Sequence, residues 1–109
     1  MKLNIYENKK IVKTYTAETY DLMFGVVEDV AEAVNLDELK TGSKAEILKL
    51  IGGLVLKSMD TVKGLMFDIF DELTDEEIKH TKVKEVAQVL YDVVLYTITQ
   101  LNIGADSKN

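Results

Sequence analysis

Residues 82–101, KVKEVAQVLYDVVLYTITQL, decide the fold. Wound at about 100° per residue, Val83, Val86, Ala87, Leu90, Val93, Val94, Ile98 and Leu101 share one broad arc, the pattern of an amphipathic helix with a wide apolar face. Val89 and Tyr96 lie beyond one margin of that arc. Leu95 sits among Gln88, Asp92 and Thr99 on the polar side. A helix of this kind must bury its face against other elements, so the residues before it are read as its partners.

Just upstream, Thr74-Asp75-Glu76-Glu77 is a capping-box sequence that opens a short turn of helix, interrupted near His80-Thr81. Before it, Val62, Leu65, Met66, Ile69 and Phe70 form the arc of a third helix that Ser58 or Asp60 can cap, with Phe67 pointing elsewhere. A second capping-box sequence, Ser43-Lys44-Ala45-Glu46, opens a helix that is apolar nearly all round: Ile47, Leu48, Leu50, Ile51, Leu54, Val55 and Met59. Its wet edge is narrow, Glu46, Lys49, Gly53 and Lys57, which suits the centre of a bundle or a contact between subunits. Gly52 and Gly53 each cost such a helix about 1 kcal/mol relative to Ala, and close approach of another element is the expected compensation.

The first helix is expected over residues 19–34, with Tyr20, Met23, Phe24, Val27, Val30, Ala31 and Val34 on its core arc and Leu22, Val26 and Ala33 on a second stripe. A polar loop over 35–42 ends it. The N-terminus reads as a β-hairpin over 1–17: Leu3 and Ile5 alternate with Lys2, Asn4 and Tyr6, a polar turn Glu7-Asn8-Lys9-Lys10 follows, and residues 11–16 are β-branched and aromatic. A lone hairpin is marginal, so this one must pack on the helices or pair with another sheet edge. The tail over 102–109 is expected to fray. The fold class is therefore mainly α: one domain over 1–109, a bundle of four to five helices over 19–101 with an N-terminal hairpin, α+β but dominated by helix.

Composition narrows the function. The chain has 109 residues and no cysteine, which removes disulfides, thiolate catalysis and most structural zinc sites. Net charge is −6 and all 13 basic residues are Lys, which argues against general nucleic-acid binding. Lys2, Lys9, Lys10 and Lys13 against Glu7 make the first 13 residues net +3 and leave −9 on the rest. The most apolar run, 47–56, is shorter than the roughly 20 residues of a membrane span, and the start of the chain alternates unlike the apolar centre of a signal peptide. Neither a leader nor a membrane partner is expected.

Candidate chemistry is sparse. His80 is the one histidine, and a lone surface His between Lys79 and Lys82 is far more often inert than a base or ligand. Asp68, Asp71, Glu72, Asp75, Glu76 and Glu77 form the densest acidic cluster, but without the alternating ligands and central Gly of a calcium loop, and three of them sit where a helix N-terminus favours carboxylates. No phosphate-binding glycine motif is present. No catalytic residue, metal or cofactor is assigned, and an enzyme is the least favoured reading. The apolar excess is more informative. Leu22, Val26, Phe67, Val89, Leu95 and Tyr96 all fall off a single core arc, and so small a domain cannot bury every helix face.

The stretches KLNIYENKKIVKTYTAETYDLMFGVVEDV, KLIGGLVLKSMDTVKGLMFDIFDELTDEEIKHTKVKEV and VVLYTITQL together cover most of the chain. In their order and coverage the chain resembles the tail assembly chaperones of siphophages and prophages of Gram-positive bacteria. The resemblance implies a non-enzymatic protein of the host bacterial cytoplasm that binds and solubilises the tape measure protein, helps recruit tail tube subunits, and is absent from the finished virion. It also implies that members self-associate and that many have a longer, frameshifted form. It implies a Pro-Gly type break where Asp71-Glu72 stands, and with Glu72 there the third helix is expected to run further. Under this reading Leu22, Val26, Phe67, Leu95 and Tyr96 are the partner-binding candidates, an apolar helical surface covering the apolar stripes of a long helical client. Many weak copies along one client gain from avidity. Met23, Met59 and Met66 are adaptable contacts or core filler. Two other classes stand beside it: a structural tail-completion or connector protein retained in the virion, and a small helical regulatory protein.

Overall fold

The computed structural model describes residues 1–34 and 43–101. The loop expected over 35–42 and the tail over 102–109 lie outside them. Strands β1 (Lys2–Glu7) and β2 (Lys10–Thr16) form an antiparallel hairpin. Five α-helices follow among the described residues: α1 (Phe24–Ala33), α2 (Lys44–Lys57), α3 (Met59–Ile69), the single turn α4 (Asp75–Ile78) and α5 (Val83–Leu101). The architecture is the helix-dominated α+β arrangement expected from the sequence.

The hairpin turns on two residues, not four. Asn8 and Lys9 have φ of 53° and 68°, the left-handed pair whose twist matches that of the flanking strands. Ile5 faces Lys13 and Tyr6 faces Ile11, so Val12 is an extra residue in a bulge. One face of β1 carries Leu3 and Ile5 into the common core, which is how a marginal hairpin becomes part of the domain.

The first helix departs from expectation. Thr19–Asp21 form a 3-10 turn, after which Leu22 and Met23 are extended (ψ 134° and 149°) and α1 begins only at Phe24. This break resets the helical phase. The buried stripe becomes Val26, Val30 and Val34, while Tyr20, Met23 and Phe24, assigned to the core by continuous winding, are 73%, 73% and 75% exposed. Ala31 is also exposed.

Helix α2 opens as read: Ser43 Oγ accepts from the Glu46 amide at 3.2 Å. It buries Ile47, Ile51 and Leu54 against α3 and α5. It is not sheltered all round, because Leu48 is exposed and Leu56 is 86% exposed. Nor does another element approach Gly52 or Gly53, since a Cβ at either would meet nothing within 4 Å. Ser58 (φ −143°, ψ 63°) separates α2 from α3 and stands at the N-cap of α3 without a side-chain capping bond.

Helix α3 buries the expected Val62, Leu65, Met66 and Ile69, followed by Phe70. It does not run on past Phe70. Glu72 takes φ of 71°, the left-handed conformation that a glycine adopts freely, and so keeps the turn that its side chain disfavours. Thr74 and Glu77 then form a complete capping box. In α5, Val89, Leu90, Val93, Val94 and Thr97 are buried; the Thr97 hydroxyl donates to the Val93 carbonyl at 2.8 Å. Two margins move. Val89, expected off the arc, is enclosed because α5 packs on α1, α2 and β1 together, whereas Val83 at its first turn is exposed.

Candidate docking surface

Two sets of side chains stand out. The first clamps the hairpin to the helices. Met1 and Ala17 exchange backbone bonds at 2.7 and 3.0 Å, which sets the alternation along the strands: odd residues of β1 bond to β2, and even ones turn their amides outward. Those outward amides are taken up. The Asn4 amide donates to Glu85 Oε1 at 3.0 Å, and the Tyr6 amide donates to the His80 carbonyl at 2.9 Å. The Tyr6 hydroxyl donates to Glu85 Oε2, and this bond, aided by lost hydration, raises the tyrosine pKa above its usual value. On the other strand, the Tyr15 hydroxyl donates to Glu77 Oε1 at 2.6 Å, while Lys13 Nζ lies 3.3 Å from Oε2. The Tyr15 bond first, then the Thr74 amide and Lys13, hold the Glu77 carboxyl below the ordinary glutamate range.

No local sequence pattern marks this clamp. Glu85 falls on the polar side of α5 and looks in sequence like any solvated helix carboxylate. Only the hairpin's position makes it an edge cap. Among the described residues no strand lies beside the outer edge of β2, and the sheet there is two-stranded.

The second set is a groove. One part, about 290 Å³, lies between the end of β2 with the 3-10 turn and the end of α3, and is lined by Leu22, Met23, Ile69 and Phe70 among others. Another, about 350 Å³, runs between α1 and α3 past Ala33, Thr61, Gly64 and Leu65. Asp68 lines both. The walls are acidic: Glu18, Asp21 and Asp71 line the first part, Asp29 and Glu32 the second, and no Lys lines either. None of the ion pairs among the described residues involves these carboxylates.

The expected partner-binding residues are not gathered here. Leu22 lines the groove and is half-buried. Val26 is 3% exposed and is a core residue, a correction that follows from the reset phase of α1. Phe67 and Tyr96 are half-buried, and Leu95 is exposed on α5. Met23, expected in the core, lines the first part, and Tyr20 and Phe24, expected there too, are exposed on the same segment.

Among the described residues no three or more His, Cys, Asp or Glu side chains are grouped to hold a metal ion. The acidic run 71–77 resolves instead into a turn and a helix cap. His80 is exposed, with Nε2 3.7 Å from Glu76. No described helix is long and apolar enough to cross a membrane.

Compared with family models, curated proteins and solved structures, the chain matches none.

Proposed function

We propose that this chain is a tail assembly chaperone of a long-tailed phage, acting in the host cytoplasm to bind and solubilise the tape measure protein and to help recruit tube subunits. The observation that carries this reading is surplus apolar surface on a folded domain. Tyr20, Met23, Phe24, Leu56 and Val83 are each more than 70% exposed although the core is complete without them. Surface of that kind is the usual mark of a partner site. It suits a client that is long, helical and partly apolar, because side chains on a helical groove cover an apolar stripe without needing a free backbone edge. The sequence resemblance supplies the identity of the client. Co-expression with the tape measure protein of the same genome tests the proposal. A gain in soluble tape measure protein that co-purifies with the chain is expected; no gain and no co-purification rejects it.

A second reading has one observation in its favour. The unpaired outer edge of β2 offers backbone donors and acceptors to another sheet, as a connector subunit retained in the virion would require. Mass spectrometry of purified virions separates the two: abundant peptides of this chain favour the connector, and their absence favours the chaperone.

A further inference from the structure

The most exposed apolar side chains fall in three places: Leu56, Val83, and the trio Tyr20, Met23 and Phe24. The first two are single side chains set among lysines, since Leu56 precedes Lys57 and Val83 stands between Lys82 and Lys84. The third differs in both respects. It puts three large apolar side chains within five residues, and one of them, Met23, lines the cavity between the 3-10 turn and the end of α3. The apolar lining of that cavity is completed by Leu22, Ile69 and Phe70, the last two from the buried core. At about 290 Å³ it lies just below the roughly 300–1,000 Å³ of small-molecule pockets and has room for one long side chain.

The charge around it has one sign. From Thr14 to Val34 the sequence carries Glu18, Asp21, Glu28, Asp29 and Glu32 and no basic residue. Asp68 and Asp71 add carboxylates from the end of α3. No ion pair among the described residues engages any of these groups. Lys13, two residues before the lining Tyr15, lies 3.3 Å from Glu77 and is already compensated there. Uncompensated carboxylates attract a cationic partner and repel nucleic acid, anionic lipid and acidic peptides. The exposed rings of Tyr20 and Phe24 favour cations as well. A metal ion does not fit, because no three ligating side chains are grouped among the described residues, and it would leave the apolar side chains wet. A Lys or Arg side chain meets both demands: its methylenes cover apolar lining while its charged end stays at the carboxylates.

We infer that the cavity between the 3-10 turn and α3, with the exposed side chains of the same segment, docks a basic amphipathic segment of a partner protein. One Lys or Arg of that segment enters the cavity, and its apolar neighbours cover Tyr20, Met23 and Phe24. This deepens the chaperone reading and rests on it for the partner's identity, the tape measure protein.

Titration of the whole chain with a synthetic peptide tests the docking. The probe has five helical turns, about 18 residues, with Leu on one face and Lys on the other; a second peptide carries Glu in place of Lys. The Lys peptide should shift the Met23 methyl resonance and the amides of residues 20–24, and leave those near Leu56 and Val83 in place. The Glu peptide should bind about tenfold more weakly or worse. Asp21→Lys with Asp68→Lys should weaken the Lys peptide by about tenfold or more, whereas Glu7→Lys with Asp60→Lys, the same change in net charge at residues that do not line the cavity, should cost less than about threefold. Tyr20→Ser with Phe24→Ser should weaken binding roughly fivefold by removing apolar contact. All these positions are exposed, and urea unfolding of each variant shows that the fold is kept. The inference is overturned if residues 20–24 do not respond to the Lys peptide, if the Glu peptide binds as tightly, or if the cavity variant and its charge-matched control weaken binding alike. Co-expression separates this failure from that of the chaperone reading. Tape measure protein left insoluble by the unaltered chain rejects the chaperone reading, and the titration decides the docking by itself. Tape measure protein solubilised equally by the unaltered chain and the Asp21→Lys, Asp68→Lys variant upholds the chaperone and overturns this docking site.

Discussion

Helix α5 and the stretch from Tyr20 to Ala33 are both amphipathic, yet the molecule treats them in opposite ways. Helix α5 meets α1, α2 and β1 at once, and it buries Val89, Leu90, Val93 and Val94, Val89 from beyond the margin of one arc, leaving Val83 and Leu95 outside. The earlier stretch turns only Val26 and Val30 of its helix fully inward, with Val34 just beyond it, and leaves its three largest apolar side chains in solvent. Hydrophobicity does not separate these regions. The number of neighbours does, and that number is a property of the assembled fold.

The sharpest way to break the comparison is Leu90→Ala. Leu90 is fully buried, and the lost methylenes together with the cavity left behind should lower stability by about 3 kcal/mol, measured by urea unfolding. A loss under about 1 kcal/mol would mean that α5 is not the packed centre. Next in size is Glu85→Ala, which strips the β1 edge of its acceptor; hydrogen bonds to charged groups contribute about 1.5–3 kcal/mol, and amide exchange at Asn4 should accelerate. Glu72→Gly should act in the other direction, raising stability by roughly 0.5–1 kcal/mol as the left-handed turn receives the residue suited to it.

Glu77 offers a pH test. Its carboxyl binds a proton less readily folded than unfolded, so it stabilises above the unfolded value and that contribution is lost as pH falls through the folded one. Glu77→Gln should therefore flatten the decline in stability below about pH 4.3, the ordinary glutamate value, without removing the fold. The smallest effect is expected for Phe24→Ser. Exposed as Phe24 is, the change should stay within about 0.5 kcal/mol, a test of whether this side chain contributes to folding at all.

Much of the fold was legible because it is local. Both capping signals depend on residues three apart: Thr74 and Glu77 form the complete box, and Ser43 accepts from the Glu46 amide. The α3 arc and the alternation of Leu3 and Ile5 are equally short-ranged. The phase of α1 was not legible, because two stripes of nearly equal strength share those residues and two extended residues before Phe24 select between them. Glu72 departs from its local signal for a related reason: its side chain argues for continued helix, but Leu73 reaches the core, and that requirement prevails. The surface around Tyr20, Met23 and Phe24 was hidden by the same error of phase. Glu85 could not be found at all without knowing which strand edge lies beside it.

The bonds from Asn4 and Tyr6 to Glu85 and His80 span more than seventy residues of chain. During synthesis the first strand therefore leaves the ribosome with its outer amides unanswered, and stays so until the start of α5 has also emerged. The N-terminus is made first and finished last, and any event that delays the C-terminal helix leaves a bare strand edge open to passing chains for the length of that delay.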